Sequence, residues 1–150
     1  AVGDNGVAIK TVDGGYTWTS LFTGTKANLN SVAFLNKNIG FASGSSGTII
    51  KTTNGGTSWS PLNSNTTENL SKGMKIISST NIIIPFVSFE SKAESKYLFS
   101  NDGGNTWSTK TMGANYYVFC FEFIDGNTGF AGLGPSVAYN SDSMIVYKTT

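Results

Sequence analysis

Three short segments of the chain bring a carboxylate or an amide together with hydroxyl side chains at fixed spacing. Each reads Ser/Thr-x-Asp/Asn-Gly-Gly-x-Thr/Ser-Trp, and its defining positions are Thr11, Asp13, Gly15, Thr17 and Trp18 in the first copy, Thr52, Asn54, Gly56, Ser58 and Trp59 in the second, and Ser100, Asp102, Gly104, Thr106 and Trp107 in the third. Acids beside hydroxyls suit metal binding or proton transfer, but they also accept backbone N–H groups and close turns. The second copy has an amide, which keeps the acceptor oxygen and lacks the charge. This substitution favours turn closure, and we predict a structural role for all of these positions.

The remaining residues of the segment suit a tight turn between two strands. The second glycine of each copy tolerates the positive φ that such a turn requires. The hydroxyl before the tryptophan can satisfy a further polar group of the turn. All three tryptophans of the chain lie in these segments, and we predict that each packs between sheets.

Acidic residues outside the three segments give weak evidence for catalysis. The chain has ten lysines and nine acids but no arginine and no histidine, which excludes histidine acid–base chemistry and bidentate arginine clamps. Glycoside hydrolysis requires two carboxylates roughly 5–9.5 Å apart, and most of the other acids lie in predicted turns. Glu122 interrupts an apolar strand, and we predict that it faces a water-filled channel, with catalysis as the alternative. We predict no catalytic residue, no metal and no cofactor.

The spacing of the segments predicts a repeat architecture. The second Asp/Asn lies 41 residues after the first, and the third lies 48 residues after the second; periods of roughly 20–50 residues indicate repeated supersecondary units. Residues 1–11 match residues 42–52 without a gap. β-Branched and aromatic runs between Gly, Asn and Ser clusters predict strands, which in the best copy cover 29–35, 39–43, 48–53 and 58–62. Four short strands per repeat, without helical periodicity, predict an all-β fold, a β-propeller segment of about three to four four-stranded antiparallel blades.

The eight-residue segment resembles the Asp-box, or bacterial neuraminidase repeat. The wider pattern over residues 44–59, Gly-x-x-Gly-x-Ile-x-Lys-Thr-Thr-Asn-Gly-Gly-x-Ser-Trp, is most similar to the photosystem II assembly factor-like repeat proteins and their secreted bacterial relatives. The resemblance implies a β-propeller with each Asp-box at a turn between outer strands. It implies no single function, because the box also occurs in sialidases, sortilin-type receptors and xyloglucan-degrading glycosidases. The arginine triad of sialidases and the arginine-rich patch expected of the assembly factors are both missing from a chain without arginine.

Loops at the end opposite the Asp-boxes form the predicted binding surface, because their lengths vary among the repeats. The candidate contact residues there are Phe89, Glu90, Tyr116 and Tyr139, whose aromatic members suit sugar stacking or anchoring of a protein. We expect a protein or glycan ligand, and further blades of the same polypeptide or a second copy. The balanced charge argues against nucleic acid as a partner. No apolar run approaches the ~20 residues that a membrane span needs.

We expect residues 1–150 to form part of a single β-propeller domain and to be a fragment of a longer chain. The predicted blade pieces cover about 1–22, 29–62, 70–112 and 116–150. The predicted function is that of a non-catalytic recognition or scaffold module in a secreted or cell-surface bacterial protein, with the periplasm or thylakoid lumen as alternative locations. Two other functions stay open: part of an Asp-box glycoside hydrolase whose catalytic residues lie outside this segment, and a structural subunit of an extracellular filament or surface layer.

Overall fold

β-Strands form nearly all of the regular structure. The computed structural model describes residues 1–87, 94–114, 116–125, 128–135 and 145–148. Within these ranges the helical structure consists of two short 3-10 turns, Asp4–Gly6 and Ser45–Gly47. The chain divides into two units, Ala1–Leu70 and Ser71–Thr150.

The first unit contains two antiparallel sheets. Strands β1 (Ala8–Lys10) and β2 (Thr19–Leu21) form a two-stranded sheet, and β3 (Leu29–Phe34), β4 (Gly40–Gly44), β5 (Ile49–Thr52) and β6 (Ser60–Leu62) form a four-stranded sheet in that order. The bounds of the four-stranded sheet lie within two residues of the predicted ones. Gly, Asn and Ser clusters interrupt the strands where they were expected to do so, because these residues adopt turn conformations at low cost.

The 41-residue offset in the sequence is preserved in the strand register. Ala8 pairs with Leu21 across β1 and β2, and Ile49 pairs with Leu62 across β5 and β6. All three registered pairs of the first sheet shift by 41 residues onto the second. The repeated sequence therefore encodes a repeated supersecondary unit.

The core of the first unit lies on the four-stranded sheet. Leu29, Ala42 and Ile50 are buried and in contact, with Val32 and Trp59 packed against them. Leu29, Ala42 and Ile50 come from β3, β4 and β5, so their burial joins these three strands into one layer. Full burial of a residue such as Ile50 contributes roughly 1.5–3 kcal/mol relative to leaving it exposed.

The second unit also contains two antiparallel sheets. Strands β7 (Lys75–Ile76), β8 (Ile82–Pro85), β9 (Glu94–Ser100) and β10 (Ser108–Ala114) form one sheet, and β11 (Tyr116–Phe123), β12 (Gly129–Pro135) and β13 (Ile145–Lys148) form the other. Ile83, Val118, Phe121 and Ala131 form a buried cluster. The ring of Tyr97 meets that of Phe121 edge to face, with centroids 5.6 Å apart.

Candidate functional site

The three eight-residue segments, called boxes from here on, are tight turns between the last two strands of their sheets. In the first box Thr17 N donates to Asp13 Oδ1 at 2.9 Å, and Thr17 Oγ1 donates to Asp13 Oδ2 at 2.6 Å. The third box repeats both bonds, at 2.9 and 2.6 Å, between Thr106 and Asp102. The predicted bond from a backbone amide to the acid is thus present in both copies.

The first hydroxyl of each box both accepts and donates hydrogen bonds within the turn, a specific role that the sequence analysis did not assign to it. Thr11 Oγ1 accepts from Gly15 N at 2.9 Å and donates to Asp13 Oδ1 at 2.7 Å. In the second and third boxes the equivalent Thr52 and Ser100 are each only 1% exposed, so their hydroxyls satisfy buried donors. The recurrence of Ser or Thr at this position in all three copies was the available signal.

The second box differs from the others in its side-chain pairing. Ser58 N donates to Asn54 Oδ1 at 2.9 Å, as in the acidic boxes. The Asn54 amide then donates to Ser58 Oγ at 2.9 Å, because the amide nitrogen carries protons where a carboxylate carries a lone pair. Turn closure therefore survives without the charge.

Hydrogen bonding lowers the pKa of both box acids. The Thr17 hydroxyl, followed by the Thr17 backbone amide and the Thr11 hydroxyl, lowers the pKa of Asp13 to about 2. The Thr106 hydroxyl and backbone amide lower the pKa of Asp102 to about 2. Both groups are carboxylates at neutral pH, with their oxygens committed to the turn. An acid held in this state is a poor proton donor.

Burial of the three box tryptophans is unequal. Trp107 is 6% exposed, whereas Trp18 is 50% exposed, so the prediction that every box tryptophan is buried is wrong for Trp18. Trp59 is partly buried and packs against the core of the four-stranded sheet. Leu21 of the neighbouring sheet approaches Gly56, whereas the contact nearest to Gly15 comes from its own box tryptophan. The same motif position is therefore buried to a different extent in each box.

The indole N–H groups also separate the second box from the other two. Trp18 Nε1 donates to Gly15 O at 3.1 Å, and Trp107 Nε1 donates to Gly104 O at 3.1 Å. Trp59 Nε1 is buried and has no acceptor among the described residues.

A second repeated hydrogen bond joins the loops at the end opposite the boxes. Asn28 Oδ1 accepts from Asn5 N, and Asn69 Oδ1 accepts from Ser46 N, each at 2.9 Å. Asn5 and Ser46 have positive φ of 55° and 53°, so each asparagine stabilises a backbone conformation that non-glycine residues rarely adopt. The motif Thr-x-x-Asn-Leu occurs at residues 25–29 and 66–70, again 41 residues apart. It could have predicted this hydrogen bond, but the sequence analysis does not include it.

Glu122 lies on β11 with its side chain 73% exposed. Its carboxylate forms an ion pair with Lys75 Nζ at 2.7 Å. The side chain is therefore exposed to solvent and paired with a lysine. Among the residues that the structure describes, no group of three or more Cys, Asp or Glu side chains is placed to hold a metal ion.

Most of the predicted binding-loop residues are not described. Phe89, Glu90 and Tyr139 lie outside the described residues. Tyr116 is the first residue of β11, and its side chain is also outside the description. These four positions stay predictions.

Exposed apolar side chains distinguish the first repeat from the second. Val7 is 54% exposed, Val12 88%, Tyr16 92% and Phe22 85%. Their counterparts 41 residues later are polar: Thr48, Thr53, Thr57 and Asn63. Val7 and Phe22 flank β1 and β2 at the loop end, whereas Val12 and Tyr16 belong to the box at the other end. The second repeat builds the same turns with polar residues, so the apolar ones are not required by the fold.

Solved structures show which fold the chain adopts. The chain is similar to a YCF48 bound to D1 peptide, with 17% identity and a TM-score of 0.66 over 95% of this chain and 43% of that one. YCF48 from Cyanidioschyzon merolae gives 13% identity and a TM-score of 0.72, over 97% of this chain and 44% of that one. The GH74 enzyme of Niastella koreensis gives 20% identity and a TM-score of 0.69, over 95% of this chain and 24% of that one.

These neighbours are β-propellers, and the predicted propeller-segment fold is confirmed. The chain spans less than half the length of each of the three structures. The sequence matches no family model and no curated protein. Within the described part of the chain, no helix has the length and apolar character needed to cross a membrane.

Proposed function

We propose that the chain is a non-catalytic recognition or scaffold module that binds a protein partner through the loops at the end opposite the Asp-boxes. The observation that carries this proposal is the exposure of Val7 and Phe22 at that end, where the second repeat has Thr48 and Asn63. Exposed apolar side chains that the fold does not require suit contact with another protein. The solved neighbour with a bound peptide supports a protein ligand for a propeller of this kind.

The paired repeats supply the variants for a test. In the double variant Val7→Thr and Phe22→Asn, the loop end of the first repeat takes the residues of the second. The matched control, Val12→Thr and Tyr16→Thr, makes the same exchange at the box end. The wild-type chain is immobilised, and a protein that it retains from an extract is purified. The Kd of that protein for the wild type and for each variant is then measured by calorimetry.

The loop variant is expected to lose about tenfold or more in affinity, since an anchoring side chain typically contributes more than about 1.4 kcal/mol. The box variant is expected to bind as the wild type does, and both variants are expected to keep the wild-type melting temperature. Loss of binding in the box variant alone would move the interface to the opposite end and contradict the proposal.

Glycan binding is the second ligand class that we propose to test. Structural similarity to the GH74 enzyme motivates a test for glycans, as do the aromatic residues predicted on the loops. A glycan array probed with the labelled chain gives the measurement. Saturable binding that survives the loop variant would assign the glycan to another surface.

We propose no hydrolase activity for this chain. Glu122, the only acid singled out for catalysis, is exposed and ion paired with Lys75. The chain should give no turnover of sialosides or β-glucans. Turnover that disappears in Glu122→Gln would overturn this assignment.

We further propose that the parent protein is secreted or attached to the cell surface, which fractionation of the source cells would test.

A further inference from the structure

An open cleft lies between the two sheets of the first unit. It has a volume of about 460 Å³, within the range of roughly 300–1,000 Å³ typical of small-molecule sites. Its walls come from the β1–β2 sheet on one side and from β3 and the second box on the other. Neither Val7 nor Phe22 lines it, so it is separate from the surface proposed for partner binding.

Aromatic and aliphatic side chains form the walls of the cleft. Trp18, Leu21, Phe34 and Trp59 all line it. The rings of Phe34 and Trp59 meet edge to face, with centroids 6.2 Å apart and planes at 77°. Phe34 is 46% and Trp18 50% exposed, so part of the aromatic surface is open to a ligand. Aromatic walls of this kind favour a flat, apolar ligand body that stacks or packs against ring edges.

The charged groups of the cleft are of one sign. Lys10 and Lys37 line it, and none of its lining residues is acidic. Lys10 Nζ donates to Gly55 O at 2.9 Å, which uses one of the three donors of its ammonium group. Lys37 is exposed, and its ammonium has no partner among the described residues. Two cations beside apolar walls attract an anion more strongly than the same charges in open solvent.

We propose that this cleft binds a small aromatic carboxylate, with its ring against Trp18, Phe34 and Trp59 and its carboxylate toward Lys10 and Lys37. A single negative charge suits the site better than a dianion, because apolar walls cannot replace the water lost by a second charge. The aromatic body provides the apolar contact, and the two lysines select for charge. The site thus adds a small-molecule ligand to a module otherwise proposed to bind macromolecules.

The test uses the full chain with indole-3-acetate as the probe and indole-3-acetamide as its neutral analogue. Binding is followed by calorimetry and by NMR shifts of the indole N–H signals of Trp18 and Trp59. Lys37→Met removes a cation from the cleft, and Lys26→Met, which changes an exposed lysine that does not line the cleft, makes the same change of net charge elsewhere. Both replaced side chains are exposed, so neither variant is expected to unfold the protein.

Saturable millimolar or tighter binding of the carboxylate is expected. Affinity is expected to fall about two- to fivefold for the amide and by a similar factor in Lys37→Met, the range expected for one exposed ion pair. Lys26→Met is expected to leave affinity unchanged. The proposal is overturned if the carboxylate does not bind. It is also overturned if the amide binds equally well, because a cleft that receives an apolar side chain of another protein would not distinguish the two probes. Equal weakening by both lysine variants would also overturn it, because it would indicate a nonspecific charge effect.

Discussion

The amide of Asn54 donates a 2.9 Å hydrogen bond to the hydroxyl of Ser58, in the direction opposite to the bond that the equivalent residues of the other boxes make. There the hydroxyl donates to the acid, and the bond shortens to 2.6 Å. A carboxylate accepts more strongly than a neutral group, so the bond that it receives is shorter and stronger. The turn is therefore compatible with both chemistries, and we expect the choice between acid and amide to affect stability.

Asn54→Asp is expected to raise the melting temperature at neutral pH by a few degrees. The new carboxylate would accept from both the Ser58 hydroxyl and the Ser58 amide, and a stabilisation of about 1 kcal/mol raises the melting temperature of a chain of this size by roughly 2–4 °C. Differential scanning calorimetry gives the measurement. Asp102→Asn, the reverse exchange in the third box, should lower it. A fall in both variants would show that each box is adapted to its own residue.

Acid unfolding is expected to reflect the two box acids. Their pKa values fall from 3.8 to about 2 on folding, so the folded protein holds fewer protons than the unfolded chain between these values. Their contribution to stability is therefore complete above about pH 4 and is lost as the pH falls towards 2.

The double variant Asp13→Asn and Asp102→Asn removes both titrations, so its stability should depend less on pH between about 4 and 2. Urea unfolding at a series of pH values gives the two curves. Asp4→Asn removes one exposed acid outside the boxes, and it serves as the single-charge control against which Asp13→Asn and Asp102→Asn are also compared one at a time. Parallel curves for the wild type and the double variant would contradict the assigned role.

Replacement of the three box tryptophans by alanine is expected to follow their burial. Trp107→Ala should cost roughly 3–5 kcal/mol, the range for emptying a large buried aromatic site. Trp59→Ala should fall at the lower end of that range, and Trp18→Ala well below it, because Trp18 is half-exposed already. Urea unfolding of each variant gives the free energies. Equal losses at all three positions would show that contacts within the box, and not burial of the tryptophan, determine how much it stabilises the fold.

Two glycines with similar positive φ separate the effect of φ from that of crowding. Gly47 and Gly14 have φ of +66° and +74°, but an added methyl group would collide with Thr66 O at Gly47 and meet nothing within 4 Å at Gly14. Gly14→Ala should cost about 1–2 kcal/mol, the range for a left-handed residue with a side chain. Gly47→Ala should cost clearly more, measured by thermal unfolding. Equal costs would show that the loop around Gly47 yields without penalty.

Local sequence was enough to predict the strands and most of the box geometry. Each box closes through bonds spanning two to four residues, such as that from Thr17 to Asp13, so a fixed motif specifies them wherever it occurs. The 41-residue offset likewise predicted that β1 and β2 repeat β5 and β6, because identical patterns of turn and strand residues select the same register. The motif around Asn28 was readable in the same way but was overlooked.

Tertiary structure alone decided the environment of these elements. Trp18 and Trp59 occupy the same position of the same motif, yet Trp59 packs against the core of the four-stranded sheet and Trp18 is half-exposed. The bond from Lys10 to Gly55 spans 45 residues, and that from Lys75 to Glu122 spans 47. Contacts over such separations depend on how one sheet packs against the next, which the turn and strand preferences of a single repeat do not encode.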